Sequence, residues 1–208
     1  RDTLYLEETK KPYSGEVERK YPDGKLLGIA TVKDGKLNGK SYEYYENGKL
    51  KIEENYVNGK SEGVSKVFYP NGKVKYETPY KNDKKEGVEK CYSENGILMS
   101  EIPFKNDIVI GVAKVYNAQT GKLEYEENLV NGKRNGLSKK YYPSGKVLNE
   151  INFKDDKEEG IMRVYYETGK LQGEIPYKNG QVDGVVKAYD ENGKLIKREV
   201  YKNGNRIK

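Results

Sequence analysis

Residues 63–86 read Gly63-Val-Ser-Lys-Val-Phe-Tyr-Pro-Asn-Gly-Lys-Val-Lys-Tyr-Glu-Thr-Pro-Tyr-Lys-Asn-Asp-Lys-Lys-Glu86. Two turn signals, Asn71-Gly72 and Asn82-Asp83, divide this stretch into segments rich in Val, Tyr and Phe. Asn-Gly between apolar stretches is a strong hairpin signal, and Asn or Asp tolerates the left-handed geometry of a turn when glycine is absent. A helix needs ~10 or more residues without such interruption, and none is available here. The segments are of strand length.

The same pattern recurs outward in both directions. Gly15, Gly39, Gly63, Gly87, Gly111, Gly136, Gly160 and Gly184 form one ladder, and Gly24, Gly48, Gly72, Gly96, Gly121, Gly145, Gly169 and Gly193 form a second in phase with it. The spacing is about 24 residues, with one extra residue in Asn117–Thr120. Eight repeats therefore cover residues 15–208, preceded by a half-repeat at 1–14 in which Leu4-Tyr5-Leu6 would cover one sheet edge. The lysine-rich tail Tyr201–Lys208 would discourage pairing at the other edge.

Counting each repeat from its first glycine as position 0, three positions stay apolar. Position 5 carries Tyr44, Phe68, Tyr92, Tyr116, Tyr141, Tyr165 and Tyr189. Position 11 is Leu or Val throughout, and position 17 runs Val32, Tyr56, Tyr80, Phe104, Leu129, Phe153, Tyr177 and Tyr201. These are the expected elements of a shared core. Pro79, Pro103 and Pro176 fall at position 16, near a strand end, where a missing N–H matters least. The expected fold is all-β: an elongated, single-layer, twisted antiparallel meander of ~17 strands, extending ~80 Å at ~4.8 Å per strand.

Treating the first Asn-Gly as a two-residue type I′ loop sets a register. Position 6 then faces 11, 4 faces 13, and 3 faces 14. Position 3 is basic in Lys66, Lys90, Lys114, Lys139, Arg163 and Lys187, and position 14 is Glu77, Glu101, Glu126, Glu150 and Glu174 opposite the first five. Five cross-strand ion pairs follow, each worth ~0.2–1 kcal/mol. A three-residue bulged loop is expected to break that agreement.

Composition fits a thin fold. Hydrophobic residues are 34%, charged residues 35%, and mean hydropathy is −1.01. Disordered chains share low hydropathy, but here 39 bases nearly balance 33 acids and 20 tyrosines are present. The net charge of +6 contains no block long enough for a nucleic-acid arm. The chain starts at Arg1 rather than Met, so a preceding segment is expected. A signal peptide there would place the protein in the cell envelope or outside the cell.

Catalytic and metal chemistry finds little support. Histidine is absent, and Cys91 is the lone cysteine, at position 4 where other repeats place Val67, Val115, Val164 and Ala188. It reads as a small packed side chain. Asp155-Asp156 with Glu158-Glu159 matches no calcium loop and reads as a solvated turn. No phosphate loop or nucleophile elbow occurs. The expectation is no enzyme, no cofactor and no metal.

The stretch Tyr56-Val-Asn-Gly-Lys-Ser-Glu-Gly-Val-Ser-Lys-Val-Phe-Tyr resembles the MORN motif (membrane occupation and recognition nexus). With Lys11-Pro-Tyr-Ser-Gly15, it is most similar to the bacterial variant of that repeat found in YwqK-type antitoxins. The resemblance spans nearly the whole chain and implies a non-catalytic binding module whose partner would be a protein, a toxin among the candidates. The position-5 aromatics are the candidate partner-binding residues. Two alternatives stand beside this. One is binding of an anionic lipid or polyanion through the basic row Lys66, Lys90, Lys114, Lys139, Arg163 and Lys187, and the other is a structural or adhesion rod.

Overall fold

The computed structural model describes residues 10–207. The Leu4-Tyr5-Leu6 cap lies outside the described residues. The chain divides into two compact bodies, Arg1–Ile108 and Val109–Lys208. Among the described residues there is no helix.

The N-terminal body holds β1 (Gly15–Lys20), β2 (Leu26–Lys33), β3 (Lys36–Tyr44), β4 (Leu50–Val57), β5 (Lys60–Ser61), β6 (Gly63–Phe68), β7 (Val74–Lys81), β8 (Lys84–Lys85), β9 (Gly87–Tyr92) and β10 (Leu98–Lys105). β11 (Ile108–Val109) straddles the boundary. The C-terminal body continues with β12 (Gly111–Tyr116), β13 (Leu123–Val130), β14 (Lys133–Arg134), β15 (Gly136–Tyr141), β16 (Val147–Lys154), β17 (Lys157–Tyr165), β18 (Leu171–Lys178), β19 (Gln181–Val182), β20 (Gly184–Tyr189), β21 (Leu195–Lys202) and β22 (Asn205–Arg206). Within each body the pairings are antiparallel and join elements that follow one another along the chain. The two-residue pieces are not separate strands in a physical sense. β4, for example, pairs with both β5 and β6, which are one strand interrupted beside Gly63.

The register corrects the sequence reading in an instructive way. In β6–β7, Lys66 faces Glu77 and Val67 faces Tyr76, as expected, but Phe68 rather than Tyr69 faces Val74. Position 6 does not face position 11. The loop is not type I′, because Asn71 is absent from the residues with positive φ while Gly72 has φ 90°. Gly72 N–H donates to Tyr69 C=O at 2.8 Å, and Tyr69 N–H donates to Lys73 C=O at 2.8 Å. That is a type I turn followed by a left-handed glycine, a three-residue loop with a bulge. Such a loop shifts the pairing by one residue. A second bulge at position 12, Lys75 here, shifts it back. The bulged loop therefore does not break the 3↔14 pairing, contrary to expectation, because the two irregularities cancel. The same compensation recurs at Leu27, Met99, Leu148, Gln172 and Ile196.

The type I′ turn is found at the other signal. Asn58 and Gly59 have φ 50° and 82°, flanked by the pair Val57↔Lys60. Asn82 and Asp83 adopt φ 51° and 68° without a glycine.

The core also differs from expectation. Positions 5, 11 and 17 do not share it. Gly63 faces Tyr80 and Phe68 faces Val74, so strand alternation puts position 17 on one face and positions 5 and 11 on the other. The buried side chains lie on the position-17 face: Val32, Tyr56 and Phe153 at position 17, Thr78, Ile151 and Glu199 at position 15, Ser138 at position 2, and Ser61 opposite Tyr56.

Candidate functional site

On the opposite face, positions 3, 5 and 14 form a lattice. Four position-14 glutamates lie between two bases, one on each neighbouring strand. Glu77 faces Lys66 and Lys90, Glu126 faces Lys114 and Lys139, Glu150 faces Lys139 and Arg163, and Glu174 faces Arg163 and Lys187. Glu101 faces Lys90. Ion pairs close at 3.3 Å for Lys66–Glu77, 3.7 Å for Lys114–Glu126 and 3.2 Å for Lys187–Glu174, and Lys40 pairs with Glu53. The basic row is thus interleaved with an acidic row rather than standing free.

The position-5 tyrosines bind the same glutamates. Tyr92, Tyr141, Tyr165 and Tyr189 donate their hydroxyls to Glu77, Glu126, Glu150 and Glu174 at 3.0, 2.6, 2.7 and 3.1 Å. Burial, then the hydrogen bond to Glu77, pushes the Tyr92 phenol up to about 12. The same two causes raise Tyr141 and Tyr165. The Lys187 hydrogen bond, seconded by Tyr189, holds the Glu174 carboxyl below its usual range. The rings of Tyr44, Phe68, Tyr92, Tyr116, Tyr141, Tyr165 and Tyr189 are all half-buried. What they can offer a partner is ring surface, since at least four of the hydroxyls are already committed.

Two features escaped the sequence reading, the first of them on this face. Position 1 presents aliphatic side chains beside the lattice: Val64 is 46% exposed, Val88 44% and Ile161 43%. With Pro79 and the Lys66–Glu77 pair, Val64 and Val88 line a groove of about 570 Å³. In the C-terminal body, Val147, Glu150 and Tyr165 line one of about 460 Å³. The second missed feature is position 6. Tyr21, Tyr45, Tyr69, Tyr142 and Tyr166 each donate to the backbone C=O of the position-5 residue one repeat on, at 2.6–2.9 Å. Their signal was visible as a tyrosine recurring directly after position 5 in repeats one, two, three, six and seven.

The acidic run at 155–159 is occupied internally. Asp156 accepts the Arg134 N–H at 2.8 Å and Glu159 accepts the Asn179 N–H at 2.9 Å. Among the described residues no group of three or more potential ligands is placed to hold a metal ion. Cys91 is half-buried and faces Tyr76 across the strands.

Paired hairpins of 24 residues, stacked by turn contacts and a lattice of alternating charges, define a β-hairpin repeat protein. The MORN repeat variant model matches residues 13–34, 37–58, 61–82, 85–106, 134–155, 158–179 and 182–203, well over half of the chain. The chain belongs to that family. The stretch between the fourth and fifth matches contains the repeat with the extra residue at Asn117–Thr120. No curated protein matches the chain.

Proposed function

We propose that this chain is a non-catalytic scaffold that binds another protein on its position-5 face. The family is generally non-catalytic, and its repeats act as scaffolds. The observation that carries the choice of face is the exposed aliphatic pair Val64 and Val88, running beside half-buried aromatic rings in the N-terminal body. Apolar surface arranged in line and bordered by charges of both signs suits a protein surface of mixed character. A polyanion or anionic membrane would meet a basic row interleaved with Glu77, Glu126, Glu150 and Glu174, three of which close ion pairs with it, which disfavours that reading. The resemblance to bacterial antitoxins makes a toxin the first partner to try, with the cell envelope or exterior as the setting.

The test is capture of a co-encoded partner by the full chain and by Val64→Asp, Val88→Asp and Tyr141→Ala variants with unchanged circular dichroism. Loss of capture by about tenfold or more per aliphatic substitution is expected if these residues sit in a desolvated contact. Unchanged capture by all three, or salt-sensitive binding to anionic vesicles in place of protein capture, would remove this reading.

A further inference from the structure

Tyr56 and Tyr201 both occupy position 17, and each donates its hydroxyl to the glutamate two residues before it. Tyr56 reaches Glu54 Oε2 at 2.6 Å and Tyr201 reaches Glu199 Oε2 at 3.2 Å. The register beside the two pairs is the same, with Tyr56 opposite Ser61 and Tyr201 opposite Arg206. The charge environment is not. Glu199 has two cations, Lys197 Nζ and Arg206 Nη1, each at 3.1 Å. The corresponding positions around Glu54 are Ile52 and Ser61, neither of which carries charge. Among the described residues no ion pair reaches Glu54.

A cavity of about 360 Å³ opens beside Glu54 on the position-17 face. Val17, Ala30, Val32 and Leu37 give it an apolar lining, and Val32 is only 2% exposed. Arg19 also lines it, but its guanidinium is held by Glu43 at 2.6 Å. The lining residues therefore carry one surplus negative charge, on Glu54. A carboxylate has roughly four acceptor sites, and Tyr56 fills one. An ammonium group would supply charge-assisted donors to the rest. The volume falls in the ~300–1,000 Å³ range of small-molecule sites.

We propose that this pocket binds a small primary aliphatic amine, its alkyl chain on Val17 and Leu37 and its ammonium on Glu54. It is independent of the partner-binding face, which lies on the other side of the strands.

The experiment follows the methyl resonances of Val17, Val32 and Leu37 in the full chain during titration with n-butylammonium, with 1-butanol as the neutral control. Saturable shifts with the amine are expected, weakened at least ~10-fold by Glu54→Gln, which keeps an acceptor for Tyr56 but removes the charge. Ser61→Arg installs the cation found at the equivalent position of the last repeat and should weaken binding by about the same factor. Equal shifts with 1-butanol, no saturable shift with the amine, or full binding retained in both folded variants would overturn the assignment.

Discussion

The two ends of each hairpin join neighbouring repeats with different chemistry. At the end marked by the first glycine pair, the turn is type I with a bulge, and the link is a side chain. Tyr45, for instance, bonds the Phe68 carbonyl at 2.6 Å. At the other end the turn is type I′, and a backbone link runs beside a side-chain one, in which the N–H of Asn58, Asn82, Asn106 and Asn179 donates to Asn38, Glu62, Glu86 and Glu159. Gly59 N–H donates to Leu37 C=O at 2.7 Å, and the contact recurs one repeat on from Asp83 to Ser61 at 3.1 Å. Where the glycine becomes aspartate, a further bond appears. Asp83, Asp107 and Asp156 accept the N–H of Ser61, Lys85 and Arg134 at 2.7, 2.7 and 2.8 Å. The backbone link survives changes of residue, because every residue other than proline has an N–H. The side-chain link vanishes where the tyrosine does. At Ser93, Asn117 and Asp190 the side chain instead accepts amides of its own turn. One end thus keeps a backbone link whatever residue stands there, and the other depends on the tyrosine.

Substitution at Gly132, φ 76°, should separate the two most sharply. Gly132→Val puts a β-branched residue in left-handed geometry and is expected to cost about 1–3 kcal/mol in urea unfolding. Gly132→Asp should be within ~0.5 kcal/mol of the parent, because nothing lies within 4 Å of an added Cβ and three other repeats already use aspartate there. Equal losses for both would break the claim that backbone conformation sets the cost at this position.

At the other end, Tyr166→Phe removes only the hydroxyl that bonds the Tyr189 carbonyl at 2.7 Å. The expected cost is about 0.5–1.5 kcal/mol. No loss would mean that the tyrosine contributes through its ring rather than its hydrogen bond.

The lattice between the two ends adds a pH dependence of opposite sign at each extreme. Tyr92, raised to about 12, favours the folded state fully below its unfolded value near ~10. That contribution is lost as pH climbs toward 12, and absorbance at 295 nm should show this phenol titrating late. Glu174, lowered chiefly by Lys187, stabilises above the ordinary carboxylate value of ~4.3 and loses that contribution as pH falls through its folded value. Glu174→Gln should flatten the acid side of a stability profile and, because Glu174 also raises Lys187, lessen the loss on the alkaline side. The smallest expected effect is Lys66→Ala, ~0.2–1 kcal/mol and reduced by salt, since both partners of this pair are partly exposed.

The glycine ladders and the Lys66↔Glu77 type of pairing were legible because turn residues and charges repeat in phase. The turn types were assigned to the wrong signal, although Pro22, Pro70 and Pro143 at position 7 carried the information. Proline presets the φ of the second residue of a type I turn and cannot adopt positive φ. The aromatic row was legible as a row. Its attachment to the glutamates was not, because the position-12 bulge that keeps 3 opposite 14 leaves no residue-type signature: Leu27, Lys75, Met99 and Gln172 all serve. The Glu54 pocket was beyond reach for a different reason. It depends on what Ile52 and Ser61 fail to supply, and that becomes visible only when two repeats are superposed in register.

Hydrogen exchange at the type I′ turns addresses the stacking of repeats most directly. Turn amides on an exposed sheet end ordinarily exchange fast. Here the amides of Gly59, Asp83, Gly132, Asp156 and Gly180 each donate to a carbonyl one repeat earlier at 2.7–3.1 Å. They should therefore exchange as slowly as the strand amides of Lys66 or Lys139. Exchange of these five at the rate of an unstructured peptide would contradict the stacked-hairpin account.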